Sequence, residues 1–171
     1  MLWHLVHDGS AIRIHYAIHN GADYQRKNSN TIIEIGKWYE VAMVFDGDKI
    51  DLYINGVLDS SLSLESHTNM IVSRAPLLLA ANPGVDASGN VVDTSELGNI
   101  TVTKTQIYDR SLSKEEVETI YNNETLETKD GLLVSYDFRR GEEILPDTPI
   151  NMDMINTMWV WIPRYSYTIR D

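Results

Sequence analysis

The 22 residues from Trp38 to Asp59, WYEVAMVFDGDKIDLYINGVLD, constrain the fold more than any other stretch of this chain. They alternate apolar and polar on either side of Asp46-Gly47-Asp48 and end in an Asn55-Gly56 turn, the pattern of two antiparallel strands with hairpin bends at both ends. Tyr39, Val41, Met43 and Phe45 fall on one face of the first strand, and Ile50, Leu52 and Ile54 on one face of the second. Side chains in a strand alternate between faces, so both rows press the same core.

The order of these residues carries a further message. Trp38, then Val41-Ala42, then Phe45-Asp46-Gly47, then Leu52-Tyr53-Ile54-Asn55-Gly56 resembles the central hairpin of laminin-G-like domains, which belong to the concanavalin-like jelly rolls. Downstream, Gln106-Ile107-Tyr108-Asp109-Arg110-Ser111-Leu112-Ser113-Lys114-Glu115-Glu116-Val117 is similar to the family's closing strand and the short helix after it. The resemblance covers roughly residues 1–122. It implies an all-β, antiparallel two-sheet jelly-roll sandwich with one short C-terminal helix, about 113–122, whose usual work is binding glycans or proteins rather than catalysis.

A chain of 171 residues is long enough to close a core without staples, and it contains no cysteine, which removes disulfides, thiol redox chemistry and thiolate metal sites. The formal charge of −11 argues against nucleic acid, because phosphate contacts need clustered Lys and Arg. No apolar run approaches the roughly 18 residues of a membrane span, and the first residues lack a signal-peptide pattern, so membrane insertion is not expected.

Residues 2–6 and 12–18 read as strands around His7-Asp8-Gly9-Ser10, with Ile12, Ile14, Tyr16 and Ile18 on a core face and Arg13, His15, Ala17 and His19 on a wet one. Residues 20–30 are polar and turn-forming and read as a hairpin loop, with a short strand over 31–35. After Asp59 the serine-rich SSLSLES alternates as an exposed strand would, and Leu77-Leu78-Leu79-Ala80-Ala81 reads as a core strand. Residues 82–99, with three Gly, one Pro and three acids, show no period and read as a long loop, and Thr101 to Tyr108 as a strand. Ser113 with Glu116 three residues later is a capping box that opens the helix, with Leu112 stapled on Val117.

Composition divides the chain into a sandwich over 1–122, a linker over 123–130, a strand over 131–140 and an extension, or the start of a further domain, over 141–171. Gly131 to Phe138 resembles the strand that opens a laminin-G-like domain, yet it follows the closing helix here. The domain is therefore truncated, permuted or tandem. We favour permutation, in which this strand completes the sandwich, because first and last strands of such domains lie side by side. Trp159 to Tyr167 resembles a segment of bacterial and phage surface proteins.

For ligand binding the residues singled out are Tyr24, Arg13, Asn20 and Asn82: an aromatic face for the apolar side of a sugar ring and planar polar groups for its hydroxyls. Trp3, Tyr16 and Trp38 read as core aromatics. Asp86, Asn90, Asp93 and Glu96, with Ser88, offer hard oxygen donors for calcium, an ion that laminin-G-like domains often hold. Against it, position twelve from Asp86 is Leu97, and Thr103-Lys104 stands where relatives often show Asp-Glu. His4, His7, His15 and His19 complete no familiar zinc spacing and read as polar strand residues. The paired-carboxylate strand motif of glycosidases is absent, and Glu34 and Glu40, on adjacent predicted strands, read as outward charges.

The expected function is non-catalytic recognition of a glycan or surface protein, within a larger extracellular bacterial or phage protein whose neighbouring domains are also partners. The expected setting is extracellular, cell-surface or virion-associated. The competing reading is a purely structural spacer of a phage fibre or secreted enzyme; a glycoside hydrolase stands last.

Overall fold

A computed structural model of the chain describes residues 2–19, 23–65, 79, 82–86, 88, 90–95, 100–122, 129–138 and 142–144. It divides into two units, Met1–Ser73 with Val102–Pro146, and Arg74–Thr101 with Asp147–Asp171.

In the first unit β1 (Leu2–Asp8), β2 (Ala11–His19) and β3 (Tyr24–Asn28) form an antiparallel sheet in the order β1-β2-β3. β4 (Val41–Phe45), β5 (Lys49–Ile54) and β6 (Val57–Ser63) form a second sheet in the order β4-β5-β6. The expected hairpin is built as its sequence dictates: Asp46 Oδ1 accepts the backbone N–H groups of Asp48 (3.0 Å) and Lys49 (2.9 Å), and Gly47 supplies a φ of 98°. Asn55 and Gly56, at φ 52° and 73°, make the second bend with both central residues left-handed, the twist a two-residue hairpin needs.

The two sheets face each other across one apolar interior. Ile14, Tyr16 and Ile18 of β2 and Ile50, Leu52 and Ile54 of β5 form its centre, with Ile33, Tyr39, Val41, Met43, Phe45, Leu62 and Leu64 packed around it. Burial of each large side chain contributes about 1.5–3 kcal/mol, so these rows dominate the stability of the sandwich.

A third sheet, in the order β11-β10-β9, holds β9 (Lys104–Tyr108), β10 (Leu132–Asp137) and β11 (Glu142–Ile144). β10 runs antiparallel to β9, and its entry is fixed by Gly131, whose carbonyl accepts Asp109 N–H at 2.8 Å. Between β9 and β10 stands α1 (Lys114–Tyr121). Its capping box is complete: Ser113 Oγ accepts Glu116 N–H, and the Glu116 carboxylate accepts Ser113 N–H at 2.8 Å. In the second unit β7 (Asn82–Val85) pairs antiparallel with β8 (Val91–Ser95).

Four expectations need correction. Residues 24–28 are not loop but strand β3, because a polar edge strand can pair with β2 through its backbone while offering solvent nothing apolar. Residues 31–35 are not a strand: Ile33 N–H reaches Ile12 O at 2.8 Å and Ile33 packs on the core, while Ile32 and Ile35 stay exposed. The 82–99 stretch contains a hairpin. The wet face of β2 is interrupted by Ala17, which is 3% exposed. The expected strand over 77–81 lies outside the described residues except for Leu79, which is exposed. Residues 123–128 and the aromatic segment 159–167 lie outside them as well.

Candidate functional site

The register of the first sheet places a set of polar and aromatic residues side by side on its outer face. His4 pairs with His15, Val6 with Arg13 and Asp8 with Ala11 across β1 and β2, while His15 pairs with Asn28, Ala17 with Arg26 and His19 with Tyr24 across β2 and β3. The imidazoles of His4 and His15 stack with centroids 5.0 Å apart, and His15 Nδ1 shares a hydrogen bond of 2.7 Å with Asn28 Oδ1. At the other end the Tyr24 ring meets His19 edge-on at 4.7 Å. Tyr24 is 54% exposed, so its ring is available to a ligand.

Arg13 closes the opposite end. Its Nη1 donates to the carbonyls of Ser29 (2.8 Å) and Asn30, and its Nε stands 3.4 Å from Asp8 Oδ2. These bonds hold the guanidinium in a fixed plane over the bend that leaves β3. Arg13 and the Tyr24 partner His19 lie six residues apart along β2, roughly 20 Å at the rise of a strand. Of the four residues expected to bind ligand, the structure thus brings Arg13 and Tyr24 to one face, at its two ends. Asn20 lies outside the described residues, and Asn82 belongs to β7 in the other unit, with its side chain not described.

His15, His19, Arg26 and Asn28 complete this face and were not among the expected ligand contacts. The signal was in reach, because Arg26 and Asn28 alternate with Tyr24, but reading 20–30 as a loop left them without a sheet to stand on. Of Trp3, Tyr16 and Trp38, only Tyr16 lies in the core, fully buried, with burial raising its phenol above the ordinary value. Trp3 and Trp38 are 43% and 65% exposed; among the described residues β1 is the last strand on its side of the sheet, and Trp38 precedes β4.

At the β7–β8 turn, Asp86 Oδ1 accepts the N–H groups of Ser88 (2.8 Å) and Asn90 (2.9 Å), and Oδ2 accepts Asn90 Nδ2 at 2.9 Å. Two of the four residues expected to hold calcium are therefore placed by each other, as the frame of a turn. The Asp93 side chain and Glu96 are outside the described residues. Among the described residues no three His, Cys, Asp or Glu side chains gather as a metal cluster.

Glu34 and Glu40 are not on strands. Glu34 is exposed and bonds Lys37 Nζ at 2.8 Å, while Glu40 is half-buried, with burial raising its carboxyl above the ordinary value against the opposing charge of Lys104. Among the described residues no helix is long and apolar enough to cross a membrane.

Residues 2–118, which contain both facing sheets and most of α1, match the family model of the concanavalin A-like lectin/glucanases superfamily. The chain belongs to that superfamily. Its name covers sugar-binding and sugar-cleaving members alike, so membership fixes the architecture and leaves the chemistry to the individual site. No curated protein matches. Among solved structures the chain is similar to residues 221–444 of an S-layer domain-containing protein from Clostridium thermocellum, at 21% identity and a TM-score of 0.32. The match covers 70% of this chain and 63% of the solved one, so this chain spans less than two thirds of its neighbour's length.

Proposed function

We propose that this member of the concanavalin A-like superfamily is a non-catalytic recognition module, which holds an extended glycan along the outer face of β1, β2 and β3. In this reading it serves a larger extracellular protein of a bacterium or phage. The observation that carries it is the row from Arg13 through His15 and Asn28 to His19 and Tyr24, on one sheet face and about 20 Å long. A surface of that length is too long for a single sugar and suits several in a chain, with Tyr24 stacking on one ring and the imidazoles, amide and guanidinia facing hydroxyls.

Architectural use is the second reading, and one observation favours it. Arg13 is bonded to Ser29, Asn30 and Asp8, and His15 to Asn28, so part of the face is already satisfied by its own neighbours. A glycan array followed by thermal melting with the best hit separates the two. A binder gives a concentration-dependent rise in melting temperature that Tyr24→Ala and Asn28→Ala reduce. No hit on the array, or a rise untouched by both substitutions, removes the sheet face as the site.

A further inference from the structure

Between the Asn55–Gly56 turn and α1 lies an open groove of about 230 Å³ whose walls include Asn55, Gly56, Lys114, Glu118, Tyr121 and Asn122. Its form depends on Gly56. A Cβ there would stand 2.9 Å from Cβ, Cγ and Cδ1 of Tyr121, so the tyrosine lies directly against the turn backbone. One flank of the ring is thereby held, while the residue remains 40% exposed. A large aromatic with little freedom left to lose is the kind of surface that the apolar side of a sugar ring stacks on.

The surrounding groups fit the same chemistry. Asn55 Oδ1 accepts Glu40 N–H at 2.9 Å, which fixes the amide plane and leaves its NH2 as a donor. Asn122 is the C-cap, anchored by its own N–H to Glu118 O at 3.0 Å. Lys114 and Glu118 stand one turn apart on α1, and their opposite charges cancel. A groove that is neutral in sum and rich in planar amides suits a neutral polyhydroxylated ligand better than an anion. Pockets for drug-sized molecules run to about 300–1,000 Å³, so this one takes something smaller.

We infer that this groove binds a single neutral sugar residue, the end of a glycan chain, with Tyr121 as the stacking surface and Asn55, Lys114, Glu118 and Asn122 as partners of the hydroxyls. It uses none of the residues of the β1–β2–β3 face and stands independently of that reading. About a dozen non-hydrogen atoms at the efficiency of ordinary ligands gives a dissociation constant on the order of 1 mM.

The test is a titration of the full chain, followed by 1H–15N correlation spectra, with D-glucose, D-galactose, D-mannose and N-acetyl-D-glucosamine to about 50 mM each, well above that constant. At least one sugar is expected to give saturable shifts centred on residues 55–57 and 114–122. Tyr121→Ala and Glu118→Ala should each weaken them roughly fivefold or more, the loss of one good contact, while Tyr24→Ala leaves them unchanged. Glu118→Ala guards against the chance that removing Tyr121 disturbs the turn, since residue 118 faces solvent. No saturable shift with any of the four, shifts centred elsewhere, or full affinity in a folded Glu118→Ala variant would overturn the assignment.

Discussion

The hydroxyls of Tyr16 and Ser60 meet at 3.0 Å in the interior, joining β2 of one sheet to β6 of the facing one. Both residues are buried, so neither partner has water to fall back on. Burial first, and then the charges of Asp59 and Asp51, raise the Tyr16 phenol above its ordinary value, against the opposing effect of the Ser60 bond. Tyr16→Phe keeps the ring and removes the bond, and is expected to cost about 1 kcal/mol in chemical denaturation. Tyr16→Ala empties the centre of the core and should cost about 3–5 kcal/mol. Because the folded phenol holds its proton more tightly than the unfolded one, its contribution is present below pH ~10 and is lost as the pH rises through the folded value. Tyr16→Phe should therefore soften the alkaline decline in melting temperature.

Gly56→Ala combines a φ of 73° with a 2.9 Å encounter with Tyr121, and a loss of about 1–3 kcal/mol is expected. Pairing it with Tyr121→Ala should recover only the part of the steric share due to the ring, since alanine keeps the Cβ that also stands at 2.9 Å, and none of the share due to φ, so the double mutant falls short of additivity. Gly131→Ala, at φ 73° and 2.6 Å from Asp109 Oδ1, should do similar harm at the start of β10.

Acid should act through Glu116. Its carboxylate takes Nη1 and Nη2 of Arg110 at 2.9 and 2.6 Å and the Ser113 N–H, and the Arg110 guanidinium, with that N–H, holds it down to about 2. The folded value lies below the unfolded one, so the stabilisation is present above about pH 4.5 and is lost as the pH falls through about 2. Asp59 has the same sign: burial raises it, but bonds from Thr31 and Asn30 outweigh that and leave it lowered. In an acid titration of melting temperature, Glu116→Gln should flatten the low-pH limb and cost about 1 kcal/mol at neutral pH. An unchanged limb would mean that the ion pair does not persist in solution.

Calcium at Asp86, Asn90, Asp93 and Glu96 is a proposal that must share oxygens already engaged by the 86–90 turn. On that proposal calorimetry shows heat on adding calcium chloride to EDTA-treated protein, and Asp93→Asn with Glu96→Gln abolishes it. Identical thermograms for both proteins would dismiss the ion. Asp86→Ala should destabilise the hairpin with or without calcium, since it removes three turn bonds.

Local rules wrote the parts of this protein that sequence alone determines. Alternation put Ile14, Tyr16 and Ile18 on one row and Ile50, Leu52 and Ile54 on another, Asp46-Gly47 and Asn55-Gly56 made the bends, and Ser113 with Glu116 started the helix. Each depends on neighbours a few residues away, so each is legible in a string of letters. The tertiary structure decided the rest. Tyr24 to Asn28 became a strand only because β2 offered its backbone, and Trp3 was left half-exposed because β1 has no strand beyond it among the described residues. The candidate face and the groove under Tyr121 are products of register and close approach, pairing His15 with Asn28 and Gly56 with Tyr121 across long stretches of chain. Such pairings depend on how the layers meet, which no local pattern encodes.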